Sequence, residues 1–141
     1  MRLVDFFKSH VCDTVHALYL EANTRGPMIA ELTRLRLPTE TGMARLSLND
    51  DDKKVRDWLY REAEALGCTV TVDQMGNMFA VRPGKAKDAA PVMMGSHLDT
   101  QPTGGRYDGI LGVMAALEVL RTLDDNKWET QGPVGLVNWT K

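Results

Sequence analysis

Between Gly95 and Gly109 the chain sets one imidazole, His97, and two carboxylates, Asp99 and Asp108, among glycines and short polar residues. Imidazole is a common zinc ligand once a partner on its other ring nitrogen fixes its orientation. Asp99, two positions on, is close enough to be that partner. A carboxylate at Asp108 can place its two oxygens on two neighbouring cations. It stands just before an apolar run, where the field of a helix N-terminus is favourable to negative charge. Gly104, Gly105 and Gly109 permit tight turns around these side chains. The ordinary readings compete: His-x-Asp is a common triplet, an aspartate before a helix is usually a cap, and glycine pairs are usually turns. A catalytic zinc site usually has three protein ligands and a water, which these residues do not complete. His10 and His16 are six apart, off the helical ligand spacing, and read as surface or packing residues. By chemistry and spacing alone both readings stay open.

The elements around this stretch decide where it would stand. Val92-Met93-Met94-Gly95 is a short apolar run, expected to be a buried strand. Ile110 to Leu123 is apolar on most faces and predicts a buried helix. Val134 to Val137 reads as another buried strand. Strand, loop, helix, strand makes a βαβ unit with part of the sheet parallel. The candidate residues then lie beyond the carboxyl end of a strand, where open α/β sheets place their ligands.

Upstream, Asn49 is a good N-cap, and Asp50, Asp51 and Asp52 follow it in the first turn. The run Asp50 to Lys54 reads as a solvated helix start. Val55, Leu59, Ala63 and Leu66 form the apolar stripe, with Trp58 beside it, and Gly67 is a natural stop. Thr69–Val72 and Met78–Val81, around Gly76-Asn77, predict a hairpin. Residues 1–37 form a helical lead: Val4, Phe7, Val11, Val15 and Leu18 fall near helical spacing, Gly26-Pro27 breaks it, and residues 28–37 suggest a second short helix.

The chain has 141 residues, 43% of them hydrophobic, enough for one packed core. A net charge of -2 carries no nucleic-acid footprint. No stretch has the roughly 18 apolar residues of a membrane span, and the start lacks a secretory pattern, so a cytoplasmic setting without membrane is expected. Cys12 and Cys68 are outside any C-x-x-C pair and are expected to be free thiols.

The block Gly95-Ser96-His97-Leu98-Asp99-Thr100, followed by Gly104-Gly105-Arg106-Tyr107-Asp108-Gly109-Ile110-Leu111-Gly112-Val113, resembles one branch of the zinc aminoacylase and carboxypeptidase superfamily, of the peptidase M20 type. That branch hydrolyses N-carbamoyl amino acids, β-ureidopropionate and allantoate. Peptidase branches tend to carry Asp-Met-Lys-Gly near the second carboxylate, where this chain has Tyr107-Asp108-Gly109-Ile110-Leu111-Gly112. Gly42-Met43-Ala44-Arg45-Leu46 and Val72-Asp73-Gln74-Met75-Gly76-Asn77-Met78 are similar to the same branch.

The resemblance implies that residues 38–141 form the N-terminal part of a three-layer α/β catalytic domain, with a mixed, partly parallel sheet flanked by helices. It implies that His97 binds one metal ion, that Asp108 bridges two, and that Asp99 acts with them by orienting His97. The cofactor would be two divalent ions, zinc first, with manganese or cobalt as alternatives. A metal-bound water would attack the carbonyl carbon of a small N-carbamoyl or ureido substrate, with a glutamate as general base. In the family, a text like Val137-Asn138-Trp139-Thr140 runs into a Glu-Glu pair, and here Lys141 follows. General base, later ligands and dimerisation domain are therefore expected outside these residues, with a homodimer only for a full-length protein. Substrate-binding residues stay unassigned, Gln101 and Arg106 being the nearest candidates. Two other readings remain: an aminoacylase or dipeptidase of the same superfamily, and an inactive fragment that only folds or binds a partner.

Overall fold

Asn49 starts the first helix by chemistry that the local sequence dictates. Its backbone is extended and its side chain accepts from the Asp52 N–H at 2.8 Å, which satisfies one of the orphan donors of the first turn. In the computed structural model the described residues are 44–105 and 107–141. The expected lead helices, the boundary at 37/38, His10, His16, Cys12 and Arg106 lie outside them.

Helix α1 spans Asp50–Ala65 and buries Val55, Leu59 and Ala63. Each fully buried aliphatic side chain of valine or leucine size contributes about 1.5–3 kcal/mol. The helix ends in a paired stop: Gly67 N–H donates to the Glu64 carbonyl and Cys68 N–H to the Ala63 carbonyl, with Gly67 at φ 75°. The acidic start is only partly solvated. Asp52 is fully buried, and its Oδ2 accepts from the Leu48 N–H and from Arg56 Nε at 2.7 Å.

Strands β1 (Thr69–Val72) and β2 (Met78–Arg82) form the expected antiparallel hairpin. Strand β3 spans Val92–His97, helix α2 Ile110–Asp125 and strand β4 Val134–Trp139. The sheet order is β1-β2-β4-β3, with β4 antiparallel to β2 and parallel to β3. The crossover β3-α2-β4 is the predicted βαβ unit, and the fold is a mixed α/β sheet with helices. Gly95, in register with Val137, lets β3 approach β4: a Cβ there would strike the Val137 main chain.

α1 packs on β1 and β2, α2 on β3 and β4. The Arg121–Glu62 ion pair joins the two helices, which puts them on one face of the sheet. That face holds Met78, Ala80, Leu136 and Asn138, all buried. On the opposite face Phe79 and Trp139 meet edge to face, 5.6 Å apart, and Trp139 is 48% exposed.

Two burial expectations need correction. Among the described residues β3 lies at the edge of the sheet rather than buried within it, and Val92 is 66% exposed. α2 buries one stripe, Ile110, Val113, Met114, Ala116, Leu117 and Leu120, but leaves Leu111 58% exposed. Apolar content alone could not tell a helix surrounded by protein from one covered on a single side. Among the described residues no helix is long and apolar enough to cross a membrane. Cys68 is free and buried, and burial pushes its thiol pKa up.

Candidate metal centre

The ladder itself delivers His97: it is the last residue of β3, opposite Trp139 of β4, and 8% exposed. Its Nδ1 lies 2.9 Å from the main-chain carbonyl oxygen of Asp99. A carbonyl only accepts, so Nδ1 carries the proton and Nε2 presents a lone pair. That is the arrangement in which imidazole ligates a metal while a backbone carbonyl fixes its ring. The sequence pointed to Asp99 as this partner without fixing which of its oxygens, and it is the main-chain oxygen that makes the bond. Asp99 Oδ1 stands 3.5 Å from Nδ1 and, though buried, makes no hydrogen bond.

The loop returns to the ring at the start of α2. Gly109 is the N-cap, at φ 75°, and a Cβ there would overlap the His97 ring and carbonyl. Only glycine meets both demands, the left-handed backbone and the close approach. Asp108, one residue earlier, is thereby brought to the Nε2 side, with Oδ1 4.0 Å from Nε2. Its carboxylate is not the helix cap, since α2 has no side-chain cap bond. It is 59% exposed.

Two donors each about 2.1 Å from a shared cation span at most about 4.2 Å, and about 3.4 Å at a tetrahedral angle. The observed 4.0 Å lies inside the outer limit and is wider than a tetrahedral pair, so the two side chains would have to close by about half an ångström on a shared ion. Lys141 now holds the position: its Nζ donates to Nε2 at 3.3 Å. Among the described residues no group of three or more His, Cys, Asp or Glu side chains gathers around a common point. His97 and Asp108 are the two side chains of ligand type that come together here. Gln101 is exposed on the loop and makes no contact that marks it as a binding group.

Residues that sequence reasoning left without a role support the loop from behind. Arg45 and Thr100 exchange two bonds: Arg45 N–H to Thr100 Oγ1 and Thr100 N–H to the Arg45 carbonyl, both 2.7 Å. Burial pushes the Arg45 pKa down, opposed by Asp52, Asp51 and Asp99. Arg56 Nη2 donates to Thr140 Oγ1 at 2.8 Å, and the Thr140 N–H to Asn77 Oδ1 at 2.9 Å, which fix the end of β4 beside the site. All of these partners are distant in sequence, so no local pattern signals them.

Known proteins resemble this chain in sequence and in fold. The peptidase family M28 model matches residues 77–141. An N-carbamoyl-L-amino-acid amidohydrolase of Rhizobium meliloti is 43% identical over 112 residues, 79% of this chain and 27% of the relative. A ureidoglycolate hydrolase of Oryza sativa is 27% identical over 86% of this chain and 25% of its own length. A crystal structure of a hydantoinase/carbamoylase-family amidase from Burkholderia multivorans superposes with a TM-score of 0.77 at 50% identity, covering 80% of this chain and 28% of that one. The chain therefore spans about a quarter of the length of the proteins it matches.

Proposed function

As a homologue of the N-carbamoyl-L-amino-acid amidohydrolases with a peptidase M28/M20-like fold, this chain, we propose, contributes part of the metal centre of a hydrolase that cleaves linear C–N bonds. The substrate class is a small N-carbamoyl amino acid or a related ureido compound, as the names of the relatives suggest. The observation that carries the proposal is the pairing of a tautomer-fixed imidazole with a carboxylate not used as a cap, 4.0 Å apart at the end of a parallel strand.

His97 Nε2 and Asp108 would hold a divalent cation, zinc in the first instance, and Asp99 would keep the His97 ring turned toward it. A divalent cation bound there would acidify a water and polarise the substrate carbonyl. The chain's own residues do the preparatory work: Asp99 holds the proton on Nδ1, Gly109 leaves space for the ring, and the β3–α2 loop brings the carboxylate round to the lone pair.

The proposal is tested by grafting. The matching segment of the Rhizobium meliloti amidohydrolase is replaced by the 112 aligned residues of this chain, and ammonia release from an N-carbamoyl amino acid is followed with zinc. The hybrid is expected to turn over, and His97→Ala or Asp108→Ala to lower the rate by more than about 100-fold, beyond the usual loss for an outer partner. A hybrid with either substitution that keeps its rate removes these residues from the centre.

A second reading is favoured by the two-donor site itself. The 141 residues alone lack a third donor among the described side chains, and Lys141 stands on the ligand nitrogen. The isolated chain is accordingly expected to show no zinc-dependent ammonia release from N-carbamoyl amino acids, and measurable turnover would contradict this.

A further inference from the structure

Leu98 stands between His97 and Asp99, fully buried, just past the last residue of β3. Both polar groups of its main chain are taken by distant side chains. Its N–H donates to Asn138 Oδ1 at 2.8 Å, 40 residues away. Its carbonyl accepts from Arg45 Nε at 3.0 Å and Nη2 at 2.6 Å, 53 residues away. Arg45 and Asn138 are themselves fully buried.

This is a costly way to satisfy two main-chain groups. Burying a guanidinium and an amide is unfavourable unless their bonds compensate. Asn138 Nδ2 makes no hydrogen bond, so part of that cost is not recovered. Apolar residues of similar volume often stabilise a core as well or better. What the arrangement provides is orientation. The Leu98 N–H lies in the peptide that follows His97, and the Leu98 carbonyl in the peptide that precedes Asp99. Peptides are planar, so fixing one atom of each restricts the turn between the two residues. The Asp99 carbonyl, one peptide further, then meets His97 Nδ1. Arg45 is anchored in turn by its two main-chain bonds with Thr100, the residue after Asp99.

We infer that Arg45 and Asn138 are positioning residues: by gripping the Leu98 main chain they hold Nδ1 protonated against the Asp99 carbonyl and so present the Nε2 lone pair on the side of Asp108. The inference deepens the reading of His97 as a cation ligand and rests on it for its purpose, but its test needs no metal.

The test is the nitrogen NMR spectrum of the His97 ring in the full, metal-free chain, in alkaline buffer where histidine is neutral. The wild-type ring is expected as the Nδ1–H tautomer. Arg45→Met and Asn138→Leu are expected to release it into a mixture, with amide dispersion elsewhere unchanged. Hydrogen exchange at the Leu98 amide should accelerate about tenfold in Asn138→Leu, as for a lost hydrogen bond. Arg45→Lys, which keeps a donor for the Leu98 carbonyl, should restore most of the wild-type tautomer. A wild-type ring that is mixed or protonated on Nε2 overturns the inference. So do folded Met and Leu variants with an unaltered ring. If those two variants fail to fold, Asn138→Ser, whose shorter side chain withdraws the acceptor from the Leu98 N–H, decides: a ring partly released supports the inference, and one identical to wild type overturns it. Zinc added afterwards separates the two claims, because a ring of fixed tautomer that ignores zinc leaves the positioning role standing and removes the metal reading.

Discussion

The contact that decides the chemistry of His97 is the one at its far nitrogen. With Nδ1 bound to a carbonyl, Nε2 has a lone pair for whichever cation comes nearest, and at present that is the Lys141 ammonium. Removing that competitor should help a metal. Lys141→Ala is expected to tighten zinc binding about three- to tenfold, the worth of one hydrogen bond, as read by calorimetry. Unchanged or weaker binding would show that the amine does not compete. Gly109 sets the other limit. Gly109→Ala adds a Cβ against the ring and forces a left-handed alanine, so it should cost about 1–3 kcal/mol in urea unfolding and disturb the His97 ring signals. A variant as stable as wild type would remove that steric argument. His97, Asp99 and Asp108 could be picked out in the sequence because imidazole and carboxylates are chemically conspicuous. Which oxygen of Asp99 faces the ring could not, because it depends on how Leu98 is held. Lys141 was visible only as a departure from the family text, with nothing to place it on Nε2.

At the scale of elements, α1 is the case where composition was most informative and still incomplete. The cap at Asn49 and the stop at Gly67 are written locally, in residues whose backbone preferences leave little choice. Asp52 looked like its two acidic neighbours, yet it alone is buried, bound to Arg56, which in turn reaches the Gly76 carbonyl and Thr140. Asp52→Ala leaves that guanidinium without its carboxylate and should cost about 3 kcal/mol, the lower end for breaking a buried pair. A loss under about 1 kcal/mol in chemical denaturation would mean that the pair is no more than a surface contact. The βαβ unit was legible from hydrophobic runs and their lengths. The edge position of β3 was not, since an edge strand and a central parallel strand can share the same short apolar text.

Over the whole of the described structure, both helices lie on one face of the sheet, and the other carries Phe79, Val81, Met93 and Trp139 only partly covered. Val92 on β3 and Leu111 on α2 are exposed as well, and exposed apolar surface of this kind favours association. The isolated chain is expected to bind a hydrophobic dye and to associate at high concentration, as followed by dye fluorescence and sedimentation. A dye-silent monomer would mean that this face is closed in solution. The relatives are about three times as long as this chain, and the proposed activity is that of a protein of their length.

Whether the His97 imidazole and the Asp108 carboxylate share a cation is decided by zinc titration followed at the ring nitrogens of His97. On adding zinc the Nε2 resonance is expected to move while Nδ1 keeps its proton, and Asp108→Ala is expected to weaken the response by at least about tenfold, as for a lost ligand. A response at Nδ1, no response at His97, or one indifferent to Asp108→Ala would contradict a shared cation.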